Sequence, residues 1–191
     1  MTLNDFVSFV PGKDSPRSIP GKPGVYIALI RDLTSLPNCG YDISCKMFKG
    51  LNVVYVGMSG SNLHKRIWYN HFRKVSGNST LRQSLGSLFG FKQFPRDKDN
   101  LENDFIRYSE ENEVWLTDWM KDNLIFYYYP CDECALVESA LIKLFNPPLC
   151  LDGDLAVENA QLRAFIQVSR REKPWQTKYQ RIQAILRELN G

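Results

Sequence analysis

The chain contains no run of 18 apolar residues, so no segment reads as a membrane-spanning helix. Its first residues, MTLNDFVSFVPGKD, lack a basic start and an apolar stretch and carry Asp5, which is not the pattern of a signal peptide. No internal repeat, low-complexity tract, helix-turn-helix signature or zinc-finger signature is present, so any reading of base sequence in a nucleic acid falls to loops. Cysteine is sparse and odd in number, at five. That count argues for a reducing cytoplasm rather than a disulfide scaffold. The sharpest absence is of one sign of charge. From Met58 to Phe94 there is no Asp or Glu over 37 residues, while six Lys/Arg and both histidines fall there. A basic block interleaved with Trp68, Tyr69 and Phe72 suits a phosphate-rich partner. A solvated basic helix face is the plainer alternative. The net charge of +3 hides this unevenness, because residues 95–122 carry nine acids against four bases.

What is present bounds the architecture. A chain of 191 residues is one domain with small additions at its ends. A hydrophobic content of 43% and an aromatic content of 13% supply a core. Residues 1–22 read as an N-terminal arm, with Phe6, Val7, Phe9 and Val10 able to dock. Strands are expected near 24–30, 52–57 and 123–129 from their β-branched and aromatic runs. Helices are expected over 62–74, 80–89, 110–121 and 132–145, the last stopped by Pro147 and Pro148. Ser79 or Thr80 would cap the second of these, with Leu81, Leu85, Leu88 and Phe89 inward and Arg82 and Gln83 outward. The helix at 110–121 would bury Val114, Trp115, Leu116 and Trp119, and 105–108 would form a short strand. Two further helices, about 155–169 and 175–190, form a C-terminal extension over 155–191. The last has Trp175, Tyr179, Ile182, Leu186 and Leu189 on one face.

One stretch concentrates chemistry. VVYVGMSGSNLHKRIWYNHF, from Val53 to Phe72, runs from a strand through a Gly/Ser/Asn turn into a helix. It sets the Tyr55 phenol and the Arg66 guanidinium on one surface, a pairing suited to a phosphate. Farther on, Glu138 shares a helical face with Cys134, Leu141, Ile142 and Phe145. A carboxylate in an apolar seam is expensive unless a cation meets it. A buried structural salt bridge is the plain alternative to a functional role.

A second tyrosine strand, Gly24-Val25-Tyr26, completes a pattern. GVY, then YVG, then a helix with Arg66 and a helix with Glu138 resemble the GIY-YIG nuclease family, with Val for Ile in both tripeptides. STLRQSLGSL, the Trp119-Met120 pair and ESALIKLFNPPLC resemble uncharacterised bacterial members, so the likeness covers residues 23–154. The resemblance implies a catalytic set of Tyr26, Tyr55, Arg66, His71 and Glu138 lining one cleft. Glu138 would bind a single Mg²⁺ or Mn²⁺, hard ions that suit an oxygen ligand. Tyr26 would be the general base, Tyr55 would orient the phosphate, and Arg66 would pair its oxygens. For a lone strand tyrosine, an ordinary core role with the hydroxyl at the rim is the alternative. A surface arginine, or one paired with the acidic segment, is the alternative for Arg66.

Two departures from the family stand out. His71 lies five residues after Arg66, whereas members often carry His or Tyr four after it. Either a local irregularity restores the geometry or the histidine merely contacts DNA. Where the family has an asparagine twelve residues after the glutamate, this chain has Cys150, a weak donor that does not replace an amide.

Lys65, Arg73, Lys74, Arg82 and Lys92 are candidate DNA-backbone contacts. The basic C-terminal helices either extend that surface or cap the domain. Cys39, Cys45, Cys131 and Cys134 could form a zinc site, although the first spacing is loose and free thiols are the simpler reading. The combined expectation is an α/β (α+β) fold with a small, mainly antiparallel three-stranded sheet flanked by helices. Its function would be one-metal hydrolysis of DNA phosphodiesters, with no small-molecule cofactor and no membrane partner. Double-strand cutting from one site favours a dimer or sequential nicking. The competing readings are a nucleic-acid-binding module with weakened catalysis and a structural domain that binds a protein.

Overall fold

A computed structural model describes residues 2–73, 76–95, 106–172 and 174–190, excluding the side chains of 174–176, 178, 179 and 190. Its centre is an antiparallel sheet built from β1 (Val7–Phe9), β2 (Gly24–Ile30), β3 (Met47–Phe48), β4 (Leu51–Ser59) and β7 (Leu124–Pro130). The strand order is β1-β7-β2-β4-β3. The sheet therefore has five strands rather than three. The added strands lie at its edges, where short segments pair without a long apolar run. β1 comes from the N-terminal arm and pairs with β7, burying Phe6 and Phe9 and leaving Val7 exposed. β3 comes from the long first loop and pairs with β4.

The central strand β2 is buried along its whole length, as its unbroken apolar run requires. Strand alternation sends Tyr26 and Ala28 to one face with Tyr55 and Gly57, because Tyr26 pairs with Gly57 and Ala28 with Tyr55. Two small residues thus make room for two phenol rings. A Cβ on Gly57 would collide with the Tyr26 hydroxyl and press on the Tyr55 ring. A Cβ on Gly24 would strike the Tyr129 carbonyl and Leu63. The glycines of both tripeptides are therefore packing requirements.

The tyrosine face is covered by the segment after β4, where Trp68 meets Phe9, and His71 and Phe72 meet Phe126. The opposite face is covered by α3 (Cys134–Phe145), through contacts such as Phe145 with Phe48. Among the described residues there are four further α-helices: α1 (Thr80–Leu88), α2 (Glu110–Asn123), α4 (Ala160–Arg171) and α5 (Pro174–Asn190). A two-stranded ladder joins β5 (Phe94–Pro95) to β6 (Ile106–Arg107); Phe105 lies outside the described residues.

Two expected faces are corrected. Helix α2 buries Glu113, Leu116, Thr117 and Met120, while Trp115 is 46% exposed against Phe89 and Phe91. Helix α1 turns Arg82 inward, fully buried. The two corrections have one cause, since Arg82 and Glu113 form an ion pair at 2.6 Å in the interior. On α5, Ile182, Leu186 and Leu189 share a face but remain exposed. Among the described residues, no helix is long and apolar enough to cross a membrane.

Candidate active site

The first helix is the element that departs most from regular geometry. Residues Lys65–Asn70 form a π-helical turn. A π turn holds one more residue than an α turn, so positions five apart come to one side. Arg66 and His71 are five apart. The extra residue in the sequence is thus absorbed by the turn, and His71 reaches the tyrosines, 5.4 Å from the Tyr26 ring and 6.4 Å from the Tyr55 ring between centroids.

His71 is fully buried and held at both ring nitrogens. Nε2 lies 2.7 Å from the Tyr26 hydroxyl, and Nδ1 lies 2.7 Å from Ser79 Oγ. Burial, with Arg66 and Arg82 nearby, pushes its pKa well below 6.5, so the imidazole is neutral. Ser79 also caps α1 by accepting from the Arg82 backbone N–H. Arg82 in turn donates to the His71 carbonyl and to Thr117. Glu113 accepts from Arg82, from the Ser76 N–H and hydroxyl, and from the Tyr108 N–H. The Arg82–Glu113 pair therefore anchors the 76–79 turn beneath His71. Its role is internal, which removes Arg82 from the expected DNA contacts.

Tyr26 is wholly buried, and burial with Tyr55 nearby raises its pKa well above 10. Tyr55 is 6% exposed and meets Thr80 Oγ1 at 2.6 Å. Burial raises its phenol as well. Arg66 is partly buried and donates to the Asn78 carbonyl, while its Nε is buried without a partner. Both phenols act on the guanidinium and hold its charge. Burial raises the Glu138 carboxyl, and Arg66 with the Met58 N–H opposes that rise.

Tyr55 and Glu138 line a cleft of about 250 Å³, with Thr80, Cys150, Asp152 and Arg170. Of the five expected residues, Tyr26, Arg66 and His71 do not line it: Tyr26 and His71 are sealed behind the surface, and Arg66 acts on Tyr55 and Glu138 from beside it. Ion pairs among the described residues join Arg82–Glu113, Lys121–Asp118 and Lys143–Asp154. None uses Glu138, so the structural salt bridge that sequence reasoning weighed at this position is instead the one at Glu113.

Cys150 sits where the family asparagine is expected. Its thiol accepts from the Val56 N–H and donates to the Val56 carbonyl, both at 3.3 Å. It fastens the outer edge of β4 beside Tyr55, and burial pushes it up to about 12. Asn146 points elsewhere, tying Arg163 and Glu158 to the end of α3.

Among the remaining expected contacts, Lys65, Arg73 and Lys92 are exposed, Arg73 over the Tyr69 ring and Lys92 over Phe94. Lys74 lies outside the described residues. The four cysteines do not assemble a zinc site: among the described residues, no three His, Cys, Asp or Glu side chains converge. Sequence reasoning placed Ser79 or Thr80 as a helix cap, which Ser79 is, but missed their contacts to His71 and Tyr55, and it missed Asp152 and Glu113.

Residues 24–172 match the family described as GIY-YIG catalytic domain. The match spans more than half of the chain, and the protein belongs to that family, with its nuclease-type fold. It runs past residue 154 and takes in α4. No curated protein and no solved structure matches the chain.

Proposed function

We propose that this protein is a divalent-metal-dependent endonuclease that hydrolyses DNA phosphodiester bonds in the cleft between Tyr55 and Glu138. The observation that carries the reading is a Glu138 carboxylate on the cleft wall with no ion-pair partner among the described residues, facing the field of Arg66. Pure binding of phosphate has no use for such a group. Its hard oxygens fit one Mg²⁺ or Mn²⁺ ion that keeps most of its waters. When bound, that ion polarises the scissile phosphate and eases departure of the leaving oxygen.

The chain's own residues supply the rest. Arg66 turns from the phenols to the phosphate, pairing its oxygens and uncovering the Tyr26 hydroxyl. Tyr26 cannot serve as a free phenolate near neutral pH, because burial holds its proton. It takes the proton of the attacking water only as its own proton moves to the neutral His71 Nε2, 2.7 Å away, so that no phenolate forms. For this, His71 keeps its own proton on Nδ1, where the N–H donates a hydrogen bond to Ser79 Oγ. Tyr55, fixed by Thr80, orients the phosphate. Lys65, Arg73, Lys74 and Lys92 hold the DNA backbone without reading sequence.

The competing reading, a binding module with weakened cleavage, draws on the thiol at Cys150 in place of an amide. That thiol still both donates to and accepts from the Val56 peptide, which supports an intact wall. Nicking of supercoiled plasmid in Mg²⁺ or Mn²⁺, beside an EDTA control and Glu138→Ala, tests the proposal. Cutting that disappears in both controls supports it. Wild-type protein that binds DNA and never cuts over several metals and sequences overturns it.

A further inference from the structure

Arg170 is a cation that the reading above leaves unused. It comes from the last turn of α4, and its guanidinium is half-buried in the wall of the cleft that holds Tyr55, Thr80 and Glu138. It donates to the Gln83 side-chain carbonyl at 2.7 Å. Gln83 is itself fixed through its amide nitrogen to the Ser76 carbonyl. Arg170 is therefore positioned by a neutral amide, and no carboxylate of the described residues pairs with it. Asp152 lines the same cleft and acts on Arg170 through space, but makes no direct ion pair with it. A partly desolvated guanidinium positioned by an amide, with donors left over, is suited to receive an anion. Burial lowers its pKa, yet an arginine remains charged. The neighbouring arginine, Arg66, donates to the Asn78 carbonyl and lies beside both tyrosines, and the reading above gives it the scissile phosphate. The two cations flank Tyr55 from different elements, one on the π turn and one on α4.

We infer that Arg170 binds a second backbone phosphate of the substrate strand, next to the scissile one held by Arg66. The inference rests on the nucleic-acid substrate proposed above. Arg170 sets the direction in which the strand crosses the cleft, and it makes α4 part of the substrate site rather than only a cap.

The test separates binding from cutting. Glu138→Ala is combined with Arg170→Gln or Arg170→Lys, and affinity for a short fluorescent DNA duplex is measured over a salt series. The Arg170→Gln protein is expected to lose about 1 from the slope of log affinity against log salt. Arg170→Lys restores that slope, because the charge is kept. In the enzyme that keeps Glu138, Arg170→Gln lowers kcat/KM, chiefly through a higher KM. A merely structural role moves thermal stability without moving the salt slope. An unchanged slope in Arg170→Gln overturns the inference, as does a parent that does not bind DNA. If the slope falls as expected while wild type never cuts, Arg170 stands and the nuclease reading fails.

Discussion

Replacing Glu113 with Leu tests the interior on which His71 rests. Arg82 and Glu113 are 0% and 4% exposed and meet at 2.6 Å. Removing the carboxylate leaves a buried guanidinium without its counter-charge. It also strips the acceptor from the Ser76 N–H, the Ser76 hydroxyl and the Tyr108 N–H. Breaking one side of a buried pair costs about 3–5 kcal/mol. Each 1.4 kcal/mol is about tenfold, so the unfolding constant should rise by roughly 10²–10³·⁵. A domain of this size is stable by about 5–15 kcal/mol, so the variant should still fold but melt markedly earlier. Urea unfolding reads the change as a lower midpoint at constant m-value. The double variant Arg82→Met with Glu113→Leu should recover part of the loss, since no charge is left stranded, while the Ser76 and Tyr108 donors remain without their acceptor. A single-variant cost below about 1 kcal/mol, or a double variant as unstable as the sum of both singles, would refute the reasoning.

Other expectations follow from the tyrosine face. Gly57→Ala drives a methyl into Tyr26 and the Tyr55 ring, so it should cost about 1–3 kcal/mol in thermal or urea unfolding; a silent substitution there contradicts the packing. Tyr26→Phe leaves His71 Nε2 without its partner, and single-turnover nicking should slow by about 10²–10⁴ while DNA affinity holds. His71 has a folded pKa below its unfolded value of 6.5. The unfolded chain therefore binds its proton first, and the stability this group contributes is present above about pH 6.5 and lost as pH falls below it, by at most about 1.4 kcal/mol per pH unit. The difference in unfolding free energy between wild type and His71→Gln, measured from pH 8 to pH 5, should narrow with that sign.

The central strands were legible because their residues allow little else. GVYIALI and the VVYV run within LNVVYVGMS are strongly β-forming, and the tripeptide glycines are demanded by close approaches, Gly57 to the Tyr26 and Tyr55 rings and Gly24 to the Tyr129 carbonyl and Leu63. The edge strands were not legible, since Val7–Phe9 and Met47–Phe48 are too short to carry a pattern and form only because an edge is there to pair with. The inward turn of Arg82 was hidden for a different reason. Helical periodicity ranks residues by polarity, and it cannot show that two opposite charges 31 residues apart bury each other. The extra residue between Arg66 and His71 was visible as an anomaly, but its resolution by a π turn needed the backbone. Arg170 was legible only as one of several basic residues on the C-terminal helices, which either extend the DNA surface or cap the domain, and its place in the cleft needed the fold.

The most direct test of the account compares binding and cutting by one variant on one substrate. Glu138→Ala is assayed for affinity to a plasmid-derived duplex and for nicking of that plasmid in Mg²⁺. The account predicts that binding persists close to the wild-type level while cutting falls by at least about a hundredfold. Cutting retained at a similar rate would contradict it, because the chemistry would then lie away from the cleft that Glu138 and Tyr55 form.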